Sequence, residues 1–295
     1  MEKSWQTKEW LETEYAKYGS STIARKCGVD DSTIIYWLDK FCIPRRTRSE
    51  SLKITQNRVH NIDINYFAKI NTPQKAYWLG FIVADGSIRH PKENVYYTDF
   101  ELAIADKETV QHFADDIGYG EILVDHQRAR CNVNNTFFTE NLMKFGVCPN
   151  KTGHEVFPLL PKNMVRYFIL GFFDGDGSIM YYEGKTRIRS RFHIVCANKN
   201  FLEHIKDILS AEAKIRFTNK SLHKKYAGSD VYELETSTLP NIAKIHDYLY
   251  TDCKCYHLQR KHDKFKKLMN HYLTMPRLIK RYSPNCLETS RTKQK

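Results

Sequence analysis

The sequence of 295 residues has no apolar stretch long enough to cross a lipid bilayer. Its longest apolar run, AYWLGFIVA at residues 76–84, is less than half of the about 20 residues that a transmembrane helix needs. The first ten residues, MEKSWQTKEW, are polar and charged and lack the apolar segment of a secretory signal peptide. We therefore expect an intracellular protein, cytoplasmic or associated with the nucleoid, without a transmembrane segment.

The sequence also lacks the dense cysteine framework of a small disulfide-bonded domain. Its eight cysteines are scattered through a chain whose hydrophobic content of 41% can build a core, so we expect reduced thiols. Cys253, Cys255, His257 and His262 lie close together, but the spacing C-x-C-x-H-x4-H is not one that structural zinc sites use. No metal is expected there.

Negative charge is in short supply. The chain has 34 acidic residues against 46 Lys and Arg, which gives a formal net charge of +12. Such an excess favours a polyanionic partner. The imbalance is largest in residues 251–295, which hold 12 basic and 3 acidic residues, although a basic tail that is merely solvated is the alternative.

Residues 5–46 contain short helical patterns with the spacing of a helix-turn-helix. Ala24 is a small residue where two helices touch, Gly28 lies in the turn, and Ile34 is a β-branched residue for the core. Asp30 and Asp31 precede the second helix and can cap it. We predict a DNA-binding helix-turn-helix; the alternative is a helical packing module without DNA contact.

The predicted DNA contacts of this module lie in two places. The exposed face of its second helix carries three candidates for base contacts, Ser32, Thr33 and Tyr36. After Pro44 comes a basic stretch with Arg45 and Arg46, which we expect to form an arm or linker that contacts DNA.

From residue 75 onward the sequence repeats itself. Residues 77–88 read YWLGFIVADGSI, and residues 168–179 read FILGFFDGDGSI. The similarity continues downstream, where FELAIADKETVQHFADDI at 100–117 aligns with FHIVCANKNFLEHIKDIL at 192–209. An internal repeat of this length predicts two similar structural units in one chain.

Each copy of the motif predicts a helix with small residues on one face. Gly80 and Ala84 are four residues apart, as are Gly171 and Gly175, and this spacing lets two helix backbones come close together. Each helix then ends in Asp-Gly, at Asp85 and Asp176. A carboxylate at the negative end of a helix is unfavourable unless a cation lies beside it, and Mg²⁺ (or Mn²⁺) suits such oxygen ligands. The alternative is two buried helices that merely end in aspartate.

The two motifs WLGFIVADG and ILGFFDGDG resemble the signature helices of the LAGLIDADG homing endonucleases, in the single-chain form with two repeats. The resemblance covers roughly residues 70–270. It implies an α+β fold of two pseudo-symmetric αββαββα units that form an antiparallel β-saddle over DNA, beside the small all-α N-terminal module. The expected domains are the helix-turn-helix at 1–48, a linker at 49–69, repeats at 70–157 and 158–270, and a basic C-terminal tail at 271–295.

The resemblance also implies a set of site residues. Asp85 and Asp176 correspond to the catalytic, metal-binding acids of the family, assisted by the backbone carbonyls of Ala84 and Gly175. The earlier acidic position of the motif is Asp174 in the second copy but Val83 in the first. Lys151 and Lys261 are candidate supporting bases, with phosphate contact as the alternative.

A strand predicted at residues 185–193 supports DNA contact independently of the family. Its alternate positions are basic, namely Lys185, Arg187, Arg189, Arg191 and His193, so one strand face is expected to be cationic. Arginine suits both guanine and phosphate. The alternative is an edge strand protected by charge.

Together these patterns predict a site-specific endonuclease that cuts both strands of DNA with a divalent metal, as in intron homing. The expected partner is double-stranded DNA with a long specific site, and the expected state is a monomer. Two alternatives stay open, a DNA-binding regulator of the same fold that does not cleave and an RNA-splicing maturase.

Overall fold

The computed structural model describes residues 4–47, 50, 62–183, 188–226, 228 and 230–273. They divide into two compact units, one made of residues up to 64 with 114–121, and one made of 65–113 with those from 122 onward. Within the first unit, the N–H of Asp63 donates to the carbonyl oxygen of Ile117 at 2.8 Å. Both copies of the repeated motif lie in the second unit. No helix in these described ranges is long and apolar enough to cross a membrane.

Residues 4–47 of the first unit fold into three α-helices. They are α1 (Lys8–Lys17), α2 (Ser20–Cys27) and α3 (Asp31–Lys40). The spacing of Ala24, Gly28 and Ile34 has the expected structural result. Ala24 and Ile34 are buried in the core with Leu11, Ile23 and Leu38, and Gly28 ends α2 with a φ of 65°, in the left-handed region that favours glycine.

From residue 73 onward the chain has two similar halves, each with the order αββαββα. The first half contains α4 (Pro73–Asp85), β1 (Ser87–Lys92), β2 (Val95–Ala103), α5 (Lys107–Ile117), β3 (Leu123–Val124), β4 (Arg128–Val133) and α6 (Thr136–Met143). The second half contains α7 (Lys162–Asp176), β5 (Gly177–Glu183), β6 (Ile188–Cys196), α8 (Lys199–Glu212), β7 (Leu222–Lys224), β8 (Tyr232–Thr236) and α9 (Leu239–Tyr250). A further helix, α10 (Gln259–Leu273), follows, and it includes the first residues of the predicted tail.

Each half has one four-stranded antiparallel sheet. The strand orders are β1-β2-β4-β3 and β5-β6-β8-β7, so the two sheets have the same topology. Apolar residues at alternate strand positions, such as Phe100 and Phe192, are fully buried. The intervening positions carry most of the charged residues of the strands. These features confirm the predicted α+β fold of two αββαββα units.

The two motif helices, α4 and α7, pack against each other. Helix α4 begins earlier than the motif itself because Pro73 occupies its first turn and the Thr72 hydroxyl accepts a hydrogen bond from the N–H of Lys75. Both helices end at the motif aspartate, and a strand begins within two residues. The local chain direction thus places Asp85 and Asp176 at corresponding ends of the two helices.

Candidate active site and nucleic-acid interface

The motif helices approach most closely at two glycines. A Cβ atom added to Gly80 would lie 2.0 Å from the carbonyl oxygen of Phe168, and one added to Gly171 would lie 1.9 Å from that of Tyr77. Both contacts are with backbone, which cannot move aside as a side chain can. The helices can therefore take this separation only because both positions are glycine.

A second close contact lies nearer the C-terminal ends of the helices. A Cβ atom on Gly175 would be 2.2 Å from the Cβ of Ala84 and 3.1 Å from Oδ2 of Asp85. Asp85 thus reaches across to the end of the opposite helix. The four predicted interface residues, Gly80, Ala84, Gly171 and Gly175, all lie where α4 and α7 meet.

The two motif carboxylates are electrostatically coupled. Burial and, next in size, the charge of Asp85 raise the pKa of Asp176 to about 6. Burial also raises the pKa of Asp85, although part of its side chain reaches solvent. A raised pKa means that the ionised form is held at a cost, which a cation would relieve.

One lysine caps the C-terminal end of each motif helix. The ammonium of Lys151 donates to the carbonyl oxygens of Ile82, Val83 and Ala84 at 3.1, 2.6 and 2.6 Å. Carbonyls at a helix end have no partner within their own helix, and a cation there also interacts favourably with the negative end of the helix dipole.

Lys261 has the same role at the other helix and is more enclosed. Its ammonium contacts four carbonyl oxygens, those of Phe173, Asp174, Gly175 and Gly177, at 2.5–3.2 Å. Burial lowers its pKa to about 8. The structure thus brings both predicted lysines to the helix ends that carry Asp85 and Asp176.

Asp174 has a different environment from the motif aspartates. Its side chain is buried, and its Oδ2 accepts hydrogen bonds from the Tyr77 hydroxyl at 2.9 Å and from the N–H of Leu258 at 2.7 Å. Burial raises its pKa to about 6. This carboxylate ties α4 to the segment before α10, whereas its counterpart Val83 makes no such polar link.

The donor set at the helix ends fits a hard divalent cation. Asp85 and Asp176 supply carboxylate oxygens, and Ala84 and Gly175 supply carbonyl oxygens that keep a second lone pair beside their lysine contacts. Within the described residues, no group of three or more His, Cys, Asp and Glu side chains could hold a metal. A cation here would therefore need water or phosphate oxygens as further ligands, as Mg²⁺ usually does.

The outer face of the second sheet is less cationic than the alternating pattern predicts. Arg191 on β6 forms ion pairs with Glu233 and Glu235 on the neighbouring strand β8, and His193 lies 3.6 Å from Glu233. Burial lowers the pKa of His193, which favours its neutral form. Arg189 is exposed, and Lys185 and Arg187 lie outside the described residues. The described part of β6 thus has the predicted basic residues on one face, and carboxylates on the adjacent strand offset part of their charge.

The outer face of the first sheet shows the same pairing. Arg89 forms an ion pair with Asp99, while Arg128 and Arg130 contact Glu101. Sequence reasoning did not select these arginines, although the charged positions alternate along β2 and β4. Both sheets thus present arginines whose guanidinium groups are held in place by carboxylates.

In the first unit, Ser32 and Tyr36 are exposed on α3 and Thr33 is partly exposed. Asp30 is the N-cap residue of α3 but makes no side-chain capping hydrogen bond, and Asp31 instead accepts from the Ser21 hydroxyl. Arg45 pairs with Asp39. Arg46 packs over the Tyr15 ring and donates to the Tyr18 carbonyl oxygen at 3.3 Å, which holds this part of the expected arm against α1.

Comparison with known proteins agrees with this architecture. Residues 163–250 match the family model of the LAGLIDADG-like domain. The structure is similar to that of meganuclease I-SmaMI bound to uncleavable DNA, with a TM-score of 0.50, 12% identity, and coverage of 76% of this chain and 97% of that one. LAGLIDADG homing endonuclease I-GzeII in complex with its DNA target gives a TM-score of 0.49 at 13% identity, with 72% and 95% covered. No curated protein matches the sequence.

The chain matches the family model over residues 163–250, and outside that range the similarity to solved structures shows the fold. Its second repeat is a LAGLIDADG-like domain, and the single chain covers both repeats of the homing endonuclease fold. The resemblance predicted from the two motifs is confirmed.

Proposed function

We propose that this protein is a site-specific endonuclease that hydrolyses both strands of double-stranded DNA with a divalent metal, Mg²⁺ or Mn²⁺. The observation that carries the proposal is the pair of matching sites at the C-terminal ends of α4 and α7, which we call corners. One is formed by Asp85 and Lys151, and the other by Asp176 and Lys261. Each corner combines an aspartate whose pKa is raised with a lysine that is bound to the helix end. A protein that only binds DNA has no need of two such carboxylates.

The chemistry of each corner follows from its groups. A bound divalent cation supplies charge neutralisation at the scissile phosphate and an activated water. Asp85 and Asp176 would bind that cation through their carboxylates, with the carbonyls of Ala84 and Gly175 beside them. Lys151 and Lys261 hold the helix ends and place a positive charge near the phosphate. Two corners in one chain provide one site for each DNA strand, which is consistent with a monomer.

DNA recognition would use the outer faces of both sheets and the first unit. The carboxylates beside Arg191 and Arg89 orient the guanidinium groups, which favours reading of base edges over loose contact with phosphates. Two sheets together with α3 of the first unit, which carries Ser32, Thr33 and Tyr36, would give a long specific site.

The test begins with finding the target site. A plasmid library with a randomised insert is incubated with the full-length protein and Mg²⁺, and the ends of the cut fragments are sequenced. The recovered site then serves for cleavage by the wild type, Asp85→Asn and Asp176→Asn. We expect a loss of double-strand cleavage by about three orders of magnitude or more in either variant, because the charge that holds the cation has gone.

A DNA-binding measurement distinguishes this function from the alternative functions. With Ca²⁺ in place of Mg²⁺ we expect the wild type to bind the site without cutting, because Ca²⁺ prefers a looser geometry with more ligands. Both variants should bind at least as well as the wild type, since a negative charge beside the phosphates is removed. Normal cutting by either variant would refute the active site. The predicted helix-turn-helix favours a regulator as the second candidate, and specific binding without cleavage in any metal would support it.

A further inference from the structure

The segment between α9 and α10 contacts both motif helices. The N–H of Tyr256 donates to Oε1 of Gln74 at the start of α4, and the N–H of Leu258 donates to Asp174 on α7. The Tyr256 ring stacks on His112, with 4.2 Å between ring centroids. The same segment leads directly into α10, where Lys261 caps the end of α7. A change in this segment would therefore reach the candidate active site.

Two cysteines in this segment face each other. The Sγ atoms of Cys253 and Cys255 are 3.5 Å apart, and both residues are free thiols with partial exposure. The chain turns sharply here, since Asp252 has a φ of 51° and the N–H of Cys253 donates to the Tyr250 carbonyl oxygen. A disulfide has a sulfur–sulfur distance of about 2 Å. The two sulfurs thus need to approach by about 1.5 Å to form one.

The two thiols also differ in acidity. Hydrogen bonds from Cys255 and His257 lower the pKa of Cys253 to about 4, while the same contact with Cys253 raises the pKa of Cys255. The pair therefore shares one proton, which stays on Cys255 while Cys253 is the thiolate. Cys131 and Cys196, by contrast, have pKa values raised by burial. A thiolate with a thiol beside it is the arrangement that reacts with oxidants.

We propose that Cys253 and Cys255 form a redox-active dithiol that a peroxide converts into an intramolecular disulfide. The Cys253 thiolate attacks one oxygen of the peroxide, the O–O bond breaks, and Cys253 becomes a sulfenic acid with release of hydroxide. The Cys255 sulfur, losing its proton, then attacks the Cys253 sulfur and expels the hydroxyl, which leaves as water with that proton. With hydrogen peroxide, two thiols are oxidised and two waters form once the hydroxide takes up a proton. A small dithiol reverses the reaction.

A metal site is the competing interpretation of this cluster. Cys253, Cys255 and His257 are a plausible set by residue type, but no described group of three such side chains has the geometry to hold an ion. The contact between the sulfurs of Cys253 and Cys255 therefore supports a dithiol. The full-length protein should therefore be isolated without stoichiometric zinc, which metal analysis measures.

The direct test is thiol mapping of the full-length protein by alkylation and mass spectrometry. After treatment with hydrogen peroxide we expect loss of labelling at both Cys253 and Cys255, a peptide lighter by two hydrogens, and full recovery with dithiothreitol. Cys255→Ser should stop at a Cys253 sulfenic acid that a dimedone reagent traps. Cys148→Ser, a partly exposed cysteine in another segment, is the matched control and should leave the disulfide unchanged.

Hydrogen exchange then tests the effect on the segment. Oxidation should speed exchange of the Tyr256 and Leu258 amides, because closing the sulfurs pulls on the turn that positions both hydrogen bonds. Cys253→Ser should abolish that response to peroxide. Two results would overturn the proposal. One is unchanged labelling of Cys253 and Cys255 under conditions that oxidise the exposed Cys42, and the other is bound zinc that protects the two cysteines.

Discussion

The two motif helices end in matching sites, each formed by a motif aspartate and a capping lysine, and the two lysines lie in segments of different local structure. At α4 the capping lysine is Lys151, which comes from the stretch between the two halves, and it contacts three carbonyls. At α7 the capping lysine is Lys261, which comes from α10, and it contacts four. The symmetry therefore lies in the helix ends and in the ammonium that each one attracts. It extends to the place of the lysine in the chain, because each lysine follows the last helix of its half, α6 or α9. Only the local structure differs, since Lys151 lies outside any helix and Lys261 lies in α10.

The two helix ends also differ in the residue that precedes the motif aspartate by two positions. The position two residues before the motif aspartate is Val83 in one helix and the buried Asp174 in the other. Asp174 binds Tyr77 and Leu258, so the second corner is connected by polar contacts to α4 and to the segment before α10. Each helix end thus has one aspartate and one lysine, while the polar contacts around them differ between the halves.

The helix contact itself should be the most sensitive to mutation, and equally so in both halves. We expect Gly80→Val and Gly171→Val each to lower the free energy of unfolding by more than about 3 kcal/mol or to prevent folding, because the side chain would collide with opposing backbone. Urea unfolding followed by circular dichroism measures this. Gly19→Ala is the control, since an added Cβ there meets no atom within 4 Å. Normal stability in one glycine variant would show that the contact is not symmetric.

Removal of the lysines should be next in size and should distinguish the corners. Lys151→Met and Lys261→Met should each reduce the rate of double-strand cleavage by about 100-fold while DNA binding stays measurable, as expected for loss of a positioned positive charge. Each variant should accumulate nicked plasmid, with the two variants nicking opposite strands. Strand-specific end labels record which strand is cut. Lys162→Met, an exposed lysine paired with Glu212, is the control. If both variants nicked the same strand, the corners would not serve separate strands.

Replacement of Asp174 should affect stability more than chemistry. Asp174→Leu leaves the Tyr77 hydroxyl and the Leu258 N–H without their acceptor, and we expect a loss of about 2 kcal/mol in the free energy of unfolding. Asp174→Asn retains an acceptor oxygen and should lose less. The matched change in the other helix, Val83→Leu, adds no unpaired polar group and should cost about 1 kcal/mol. Thermal unfolding compares the three, and the contrast fails if Asp174→Leu is as stable as the wild type.

The smallest effects are expected on the outer face of the second sheet. Arg189→Ala should weaken DNA binding and lower the slope of log affinity against log salt by about one if this arginine contacts phosphate. Arg191→Ala should weaken binding more, because it also leaves Glu233 and Glu235 without their cation near the DNA. Equal binding by both variants and the wild type across a salt series would mean that this face does not touch DNA.

Several features could be predicted from the sequence because their signals are local. Four-residue spacing puts Gly80 and Ala84 on one helix face, and the alternation in FELAIA places Phe100 and Leu102 on the buried side of β2. The Ala24, Gly28 and Ile34 spacing likewise gave the turn between α2 and α3. These patterns recur within a few residues, where the geometry of a helix or strand alone decides which side chains share a face.

The remaining features depended on the tertiary structure. Lys261 lies 87 positions from Asp174 along the chain, and the spacing between them contains no signal that the ammonium caps that helix end. The pairing of Arg191 with Glu233 and Glu235 depends on the register of β6 and β8, which the alternation within one strand does not contain. Helical and strand periodicity is a local property of the backbone. Which charged group lies opposite which depends on how distant segments pack, and there the free energy of burial selects the partners.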